Sequence, residues 1–208
     1  MFALVLALVL APVPVLALVL ALVLEGASPP DPCRVARMSD REIRRLGPSD
    51  AGAWLALRLR ALREEPSAFL MTEEEETAGG VDAVAARLAR PAEEAFVLGA
   101  HSGSDLVGIV GVARASQLKV RHRATLWGMY VAPEQRRRGL GRALMTEAIA
   151  RAAAMPGVEA LALSVRAENE AAKALYRALA FVSWGVEPDA FRAAGLSITE
   201  EHMRRALP

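Results

Sequence analysis

Cysteine is all but missing from this chain. Cys33 stands alone among 208 residues, so no intrachain disulfide can form and no cysteine-based zinc site can be assembled. A reducing compartment fits that usage. Histidine is scarce too: His101, His122 and His202 are scattered without metal-ligand spacing, and no metal is implied. Aromatics make up only 5% of the chain. None interleaves with the basic cluster Lys119, Arg121, His122 and Arg123, which reads as a loop of solvated charges rather than a nucleic-acid surface. Neither charge dominates. Lysine and arginine number 25 against 24 acids, a net charge of +1, so the balance calls for no nucleic-acid partner.

What is abundant is apolar, and much of it lies in one segment. Phe2 to Leu24 contains only Ala, Leu, Val, Phe and Pro, in a near-repeat of A-L-V-L broken by Pro12 and Pro14. About 20 apolar residues are enough to cross a bilayer. As a secretory signal it is poor, because no Lys or Arg precedes it and no A-x-A site follows. Arg34, Arg37, Arg41, Arg44 and Arg45 come after it, so an inserted segment 2–24 would leave the following domain in the cytoplasm. The alternatives are a cleaved signal, or translated repetitive sequence upstream of a true start at Met38. Residues 25–37, with Pro29, Pro30 and Pro32, read as a linker. The expected organisation is therefore an apolar segment 1–24, a linker 25–37 and one domain 38–208, located in the cytoplasm.

Within that domain Glu42 to Leu46 reads as a strand. Ser49 or Asp50 can cap a helix running to about Glu65, with Trp54, Leu55, Leu59 and Leu62 along one side. A polar stretch with Glu73 to Glu76 follows, read as a solvated charge run, then a helix from Val81 to Ala89. Ala95 to Ala100 and Leu106 to Ala113 form a hairpin, and Ala124 to Val131 is a further strand. Next come a helix over Gly139 to Ala154, a strand over Val158 to Val165, a helix over Glu168 to Leu179 and a strand from Phe181. Strand, helix, strand predicts parallel pairing at the first crossover; the earlier hairpin makes the sheet mixed.

The segment Tyr130 to Leu144 carries the chemistry. A strand ends at Val131, Pro133 interrupts the ladder, and a turn rich in arginine and glycine enters a helix. The first turn of a helix has unpaired N–H groups and the positive end of the dipole, and so attracts an anion. Gly139 and Gly141 let backbone approach a bulky diphosphate, and Arg136, Arg137, Arg138 and Arg142 add permanent charge suited to phosphate. A phosphate-bearing cofactor is predicted at the end of this strand. It is not a P-loop site, because no Gly-Lys-Ser/Thr follows the glycines. The dinucleotide fingerprint fails as well, since Leu144 stands where its third glycine belongs.

Arg136-Arg137-Arg138-Gly139-Leu140-Gly141 resembles the R/Q-x-x-G-x-G/A pyrophosphate loop of the GNAT acetyltransferase superfamily, and Val131 to Pro133 matches the V-x-P before it. Asn169 to Tyr176 looks like the family's second cofactor segment, N-x-A-A-x-x-L-Y, and Phe181 falls at its L-G-F step. The likeness runs in order from about residue 41 to 207. Ala180 departs from it, standing where the family usually has glycine; an alanine in the left-handed region costs about 1 kcal/mol.

The resemblance implies a GNAT-like α/β fold, with a central mixed, twisted β-sheet splayed between two parallel strands and helices on both faces. It implies acetyl-CoA as cosubstrate, bound by Met129, Tyr130 and Val131 of the splayed strand, largely through the main chain, by Arg136 to Arg142 at the turn, and by Asn169. It makes Tyr176 the catalytic side chain, a phenol of pKa about 10 that stays protonated and can donate to the departing thiolate. Asn169 lies seven residues earlier and on the same helical face, about 10 Å along the axis. The implied reaction is acetyl transfer to an amine acceptor, which the residues do not name: protein N-termini, lysines, polyamines, aminoglycosides and small amines all remain open. Glu64, Glu65, His101 and His122 are conceivable general bases, and none is singled out. A homodimer is a further expectation. The competing readings are a non-catalytic acyl-CoA-binding sensor on the same fold and a membrane-tethered interaction protein.

Overall fold

The structure, a computed structural model, describes residues 41–208; the apolar segment 1–24 and the linker 25–37 lie outside them. Strand β1 (Arg41–Arg45) leads through a 3-10 turn at Pro48–Asp50 into helix α1 (Ala51–Glu64). Helix α2 (Glu73–Leu88) follows. Strands β2 (Ala95–Ser102), β3 (Asp105–Arg114) and β4 (Arg123–Val131) then form an antiparallel meander. Helix α3 (Leu140–Ala153), strand β5 (Ala160–Arg166) and helix α4 (Glu170–Ala178) come next, and strands β6 (Val182–Ala193) and β7 (Leu196–Ala206) close the chain.

All seven strands join one sheet in the order β1-β2-β3-β4-β5-β7-β6. Among the described residues only β4 and β5 pair in parallel, over Arg123 to Thr125 against Ala160 to Ala162. Beyond Thr125 the two strands part. Strand β5 turns instead to β7, which it pairs from Ala160↔Ala206 to Arg166↔Glu200. The splayed mixed sheet expected from the sequence is present.

A bulge helps to open it. Gly128 and Met129 together stand opposite Val110 of β3, and Gly128 has φ +63°, a conformation that glycine adopts without steric cost. Past the bulge Ala132 N donates to Val107 O. By the alternation of an antiparallel ladder, the main chain of Tyr130 faces β3 and that of Val131 faces the gap toward β5.

The core fills both faces of the sheet. Strand β2 is buried from Ala95 to His101, as a strand covered on both sides must be. Trp54 of α1 packs edge-on to Trp127 of β4 on one face, while α3 buries Leu140, Leu144, Ala148 and Ile149, the residues expected on its inner side.

Four local expectations are corrected. The buried stripe of α1 is Trp54, Leu57, Ala61 and Leu62, with Leu55 and Leu59 half-buried at its edge. Asp50 does not cap α1 with its side chain. It accepts from Arg44 at 2.7 and 2.8 Å and from Gly47 N at 2.8 Å, and Arg44 holds its carboxyl down at about 2. The glutamate run opens α2, where Thr72 accepts from Glu75 N and the Glu75 carboxylate accepts from Thr72 N, a reciprocal capping box. Glu76 of that run is buried: it takes Arg58 Nε at 3.1 Å and Arg87 at 2.6 Å, and the guanidinium of Arg58 lies over the Phe69 ring. Last, α2 bends at Gly80 (φ +63°), leaving Val81 exposed.

Candidate active site

The gap between β4 and β5 is the floor of a cleft of about 920 Å³. Ten of the predicted cofactor residues and Tyr176 are distributed around it. Met129, Tyr130 and Val131 line it from β4; Arg136, Arg137, Gly139, Leu140, Gly141 and Arg142 from the turn and first residues of α3; Asn169 and Tyr176 from α4. Arg138 is not on the wall; its guanidinium donates to Gln135 at 3.4 Å.

The turn into α3 is shaped for an anion. Arg137 (φ +60°) and Gly139 (φ +79°) are both left-handed, and together they swing the chain from the 3-10 turn Pro133–Gln135 into the helix. For Arg137 that conformation costs on the order of 1 kcal/mol. Leu140 is a core residue, so only its main chain is offered to the cleft. A Cβ on Gly141 would stand 3.4 Å from Met129 Cε and 3.7 Å from Leu175 Cδ2, in contact with β4 and α4 side chains, and its absence leaves the backbone of Gly141 open to the cleft. Unpaired N–H groups of α3, the glycine and the exposed arginines 136, 137 and 142 suit a diphosphate.

Arg136 is tied in place. Its Nε donates to Val131 O at 2.8 Å, one guanidinium nitrogen reaches Glu65 at 3.2 Å, and its charge lies 5.7 Å from the Tyr130 ring centroid. The carbonyl of Val131 is thereby occupied, leaving its N–H as the group directed into the gap. Tyr130 has its phenol on the α1 face, donating to Glu64 Oε2 at 2.5 Å, so its contribution to the cleft is main chain. Burial, reinforced by that bond, raises the phenol pKa far above its ordinary value. The phenol of Tyr130, followed by Arg60, in turn holds the Glu64 carboxyl below the usual range, which makes it a weak base.

Tyr176 is buried at 8% exposure with its ring edge-on to Phe181, and burial pushes its hydroxyl up to about 12. Among the described residues that hydroxyl has no hydrogen-bond partner, and Tyr176 is one of the residues that line the cleft. It therefore stays a proton donor at any physiological pH. Asn169 caps α4, accepting from Ala172 N at 3.1 Å. Ala180 takes φ +62° just after that helix, the left-handed turn anticipated there. The remaining conceivable bases lie apart: His101 sits at Arg44 on β2, and His122 precedes the end of β4 remote from the splay.

One cluster escaped the sequence reading. Ser164 of β5 lines the cleft two residues past the last β4–β5 pair. Its Oγ is 2.8 Å from His202 Nδ1 on β7, and His202 Nε2 is 2.8 Å from Glu187 Oε2 on β6. The three residues are far apart in sequence and β7 was not foreseen, so no local pattern could join them. Among the described residues no group of His, Cys, Asp and Glu could hold a metal ion, and no helix is long and apolar enough to cross a membrane.

The same architecture recurs in solved structures. The acetyltransferase of GNAT family from Streptococcus pneumoniae superposes with a TM-score of 0.68 at 25% identity, over 81% of this chain and 99% of that one. The yncA protein of Salmonella typhimurium, solved with its cofactor acetyl-CoA, gives 0.69 at 19% identity over 81% and 95%. Ribosomal-protein-alanine N-acetyltransferase from Brucella melitensis gives 0.63 at 24% over 80% and 99%. No curated protein sequence matches. The profile of the Acetyltransferase (GNAT) family matches residues 54–181, from Trp54 of α1 through the whole α3 turn to Phe181 beyond α4. A splayed β4–β5 pair, an arginine- and glycine-rich turn at the head of α3, and a profile match spanning both agree: this chain belongs to the GNAT acetyltransferase family.

Proposed function

We propose that the protein transfers the acetyl group of acetyl-CoA to a primary amine by direct attack within a ternary complex. The observation that carries this reading is the opening between β4 and β5 directly beside the N-terminus of α3. The N–H groups at Leu140 and Gly141, with Arg136, Arg137 and Arg142, would hold the diphosphate, and Asn169 would border the arm that follows. Bound there, acetyl-CoA supplies an activated thioester. The Val131 N–H, aimed into the gap, is placed to polarise a carbonyl, since a fixed donor in a water-poor site stabilises developing negative charge. Tyr176 contributes a proton to the departing sulfur. Holding both reactants in one cleft replaces a bimolecular encounter with an effectively unimolecular one.

The working domain is residues 38–208. It faces the cytoplasm, where acetyl-CoA is available, whether or not residues 2–24 form an anchor. Calorimetric titration of acetyl-CoA into the full chain tests this reading, with Gly141→Asp as control, followed by a screen of primary amines for thiol release. Saturable binding abolished in the control supports it. A folded protein that binds no acetyl-CoA refutes it.

A further inference from the structure

An amine acceptor reaches the enzyme as an ammonium ion, with a pKa near 10. It must lose a proton before its nitrogen can attack, so the proposed reaction needs a base at the cleft. We infer that Ser164, His202 and Glu187 form the proton relay that serves it; this rests on the acetyltransferase reading.

The geometry fixes the direction of transfer. An ionised carboxylate only accepts hydrogen bonds. Glu187, 2.8 Å from His202 Nε2, therefore requires the proton of neutral imidazole to sit on Nε2. That leaves a lone pair on Nδ1, which accepts from the Ser164 hydroxyl at 2.8 Å. Ser164 Oγ keeps its own lone pairs for a donor in the cleft it lines. A proton leaving the ammonium passes to Ser164 Oγ as the serine proton moves to His202 Nδ1, and the imidazolium so formed is stabilised by Glu187. The neutral nitrogen then bonds to the acetyl carbon as the C–S bond breaks, Tyr176 protonates the sulfur and is reprotonated by the second proton of the nitrogen, and His202 returns its proton to solvent.

Position supports the role. Residues alternate along β5, so Ser164 and Arg166 share the face where Arg166 donates to Ser67 in the loop after α1. Lys173 and Arg177 of α4 pair with Glu201, so Glu201 faces α4 and the adjacent His202 faces away from it. The relay thus stands across the sheet from Tyr176, and the acid and the base approach the gap from opposite sides. Trp184 stacks on His202 with centroids 5.3 Å apart, covering one face of the imidazole ring. The charged groups facing His202 are Glu187 on β6, Glu200 and Arg204 on β7, and Arg166 on β5, itself paired with Glu168.

The test uses the full chain. Long-range 1H–15N spectra should show neutral His202 as the Nε2–H tautomer; the Nδ1–H tautomer would overturn the relay. Thiol release from acetyl-CoA is then followed against pH with benzylamine, putrescine and alanine amide. His202→Gln and Ser164→Ala should lower kcat/KM near pH 7 by roughly 100-fold, the scale of general-base catalysis. His202→Gln should also erase the acid limb of the profile, while acetyl-CoA affinity stays at the wild-type value and His122→Gln changes nothing. A wild-type pH profile in His202→Gln with intact acetyl-CoA binding sinks the relay alone. Failure of the wild type to bind acetyl-CoA sinks the acetyltransferase reading and the relay with it.

Discussion

Gly141 of α3 faces Met129 of β4 at the cleft wall: the Cβ that the glycine lacks would stand 3.4 Å from the methionine Cε. Any side chain here points at β4 and α4. Gly141→Val is expected to weaken acetyl-CoA binding by at least roughly tenfold, about 1.4 kcal/mol, with Tm shifted only slightly. Calorimetry alongside a thermal melt separates the two effects.

Glu76 holds two arginines, and one of them, Arg58, is buried at 4% exposure. Removing one partner of a buried pair leaves an uncompensated charge, so Glu76→Ala should cost about 3 kcal/mol in denaturant unfolding. Arg58→Met combined with Glu76→Met should recover most of that loss, because Arg87 reaches solvent. Equal instability of the single and double variants would mean that the pair is not the source.

Ala180 sits at φ +62° after α4. Ala180→Gly relieves that conformation at the expense of a freer unfolded chain, for a net gain of about 0.5–1 kcal/mol. A thermal melt should register a rise of about 1–4 °C.

Burial raises Tyr176 to about 12 in the folded chain, while an unfolded tyrosine titrates near 10. Below pH 10 both states keep the proton and the folded state has its full stability. Between pH 10 and 12 only the unfolded chain releases the proton, so stability falls through that window by about 2–3 kcal/mol. Tyr176→Phe should remove this alkaline loss in urea titrations. It should also lower kcat roughly 100-fold while leaving acetyl-CoA affinity intact.

The α3 turn was legible in the sequence because each of its features is local: a proline that ends the ladder, glycines that admit unusual backbone, arginines in a row. The start of α2 was not, since four like charges carry no helical period. The capping signal Thr72-x-x-Glu75 was nevertheless there to be found. Strand β7 was hidden by its own chemistry. Glu200, Glu201, Arg204 and Arg205 mask an alternation in which only Ile198 and Met203 are buried apolar residues. The relay followed it out of view, because Ser164, His202 and Glu187 become neighbours only once β7 is seated between β5 and β6.

The three residue pairs that join β4 to β5 also set how the domain can come apart. On one side lie β1 to β4, on the other β5, β7 and β6, each side bonded extensively within itself. Between the described strands, hydrogen-bonded continuity runs over the short stretch His122–Thr125 against Glu159–Ala162. The seam is a line of low cooperativity, along which the two blocks can exchange amide hydrogens at different rates. A molecule lodged in the gap and touching both blocks would act as a staple, merging two exchange classes into one.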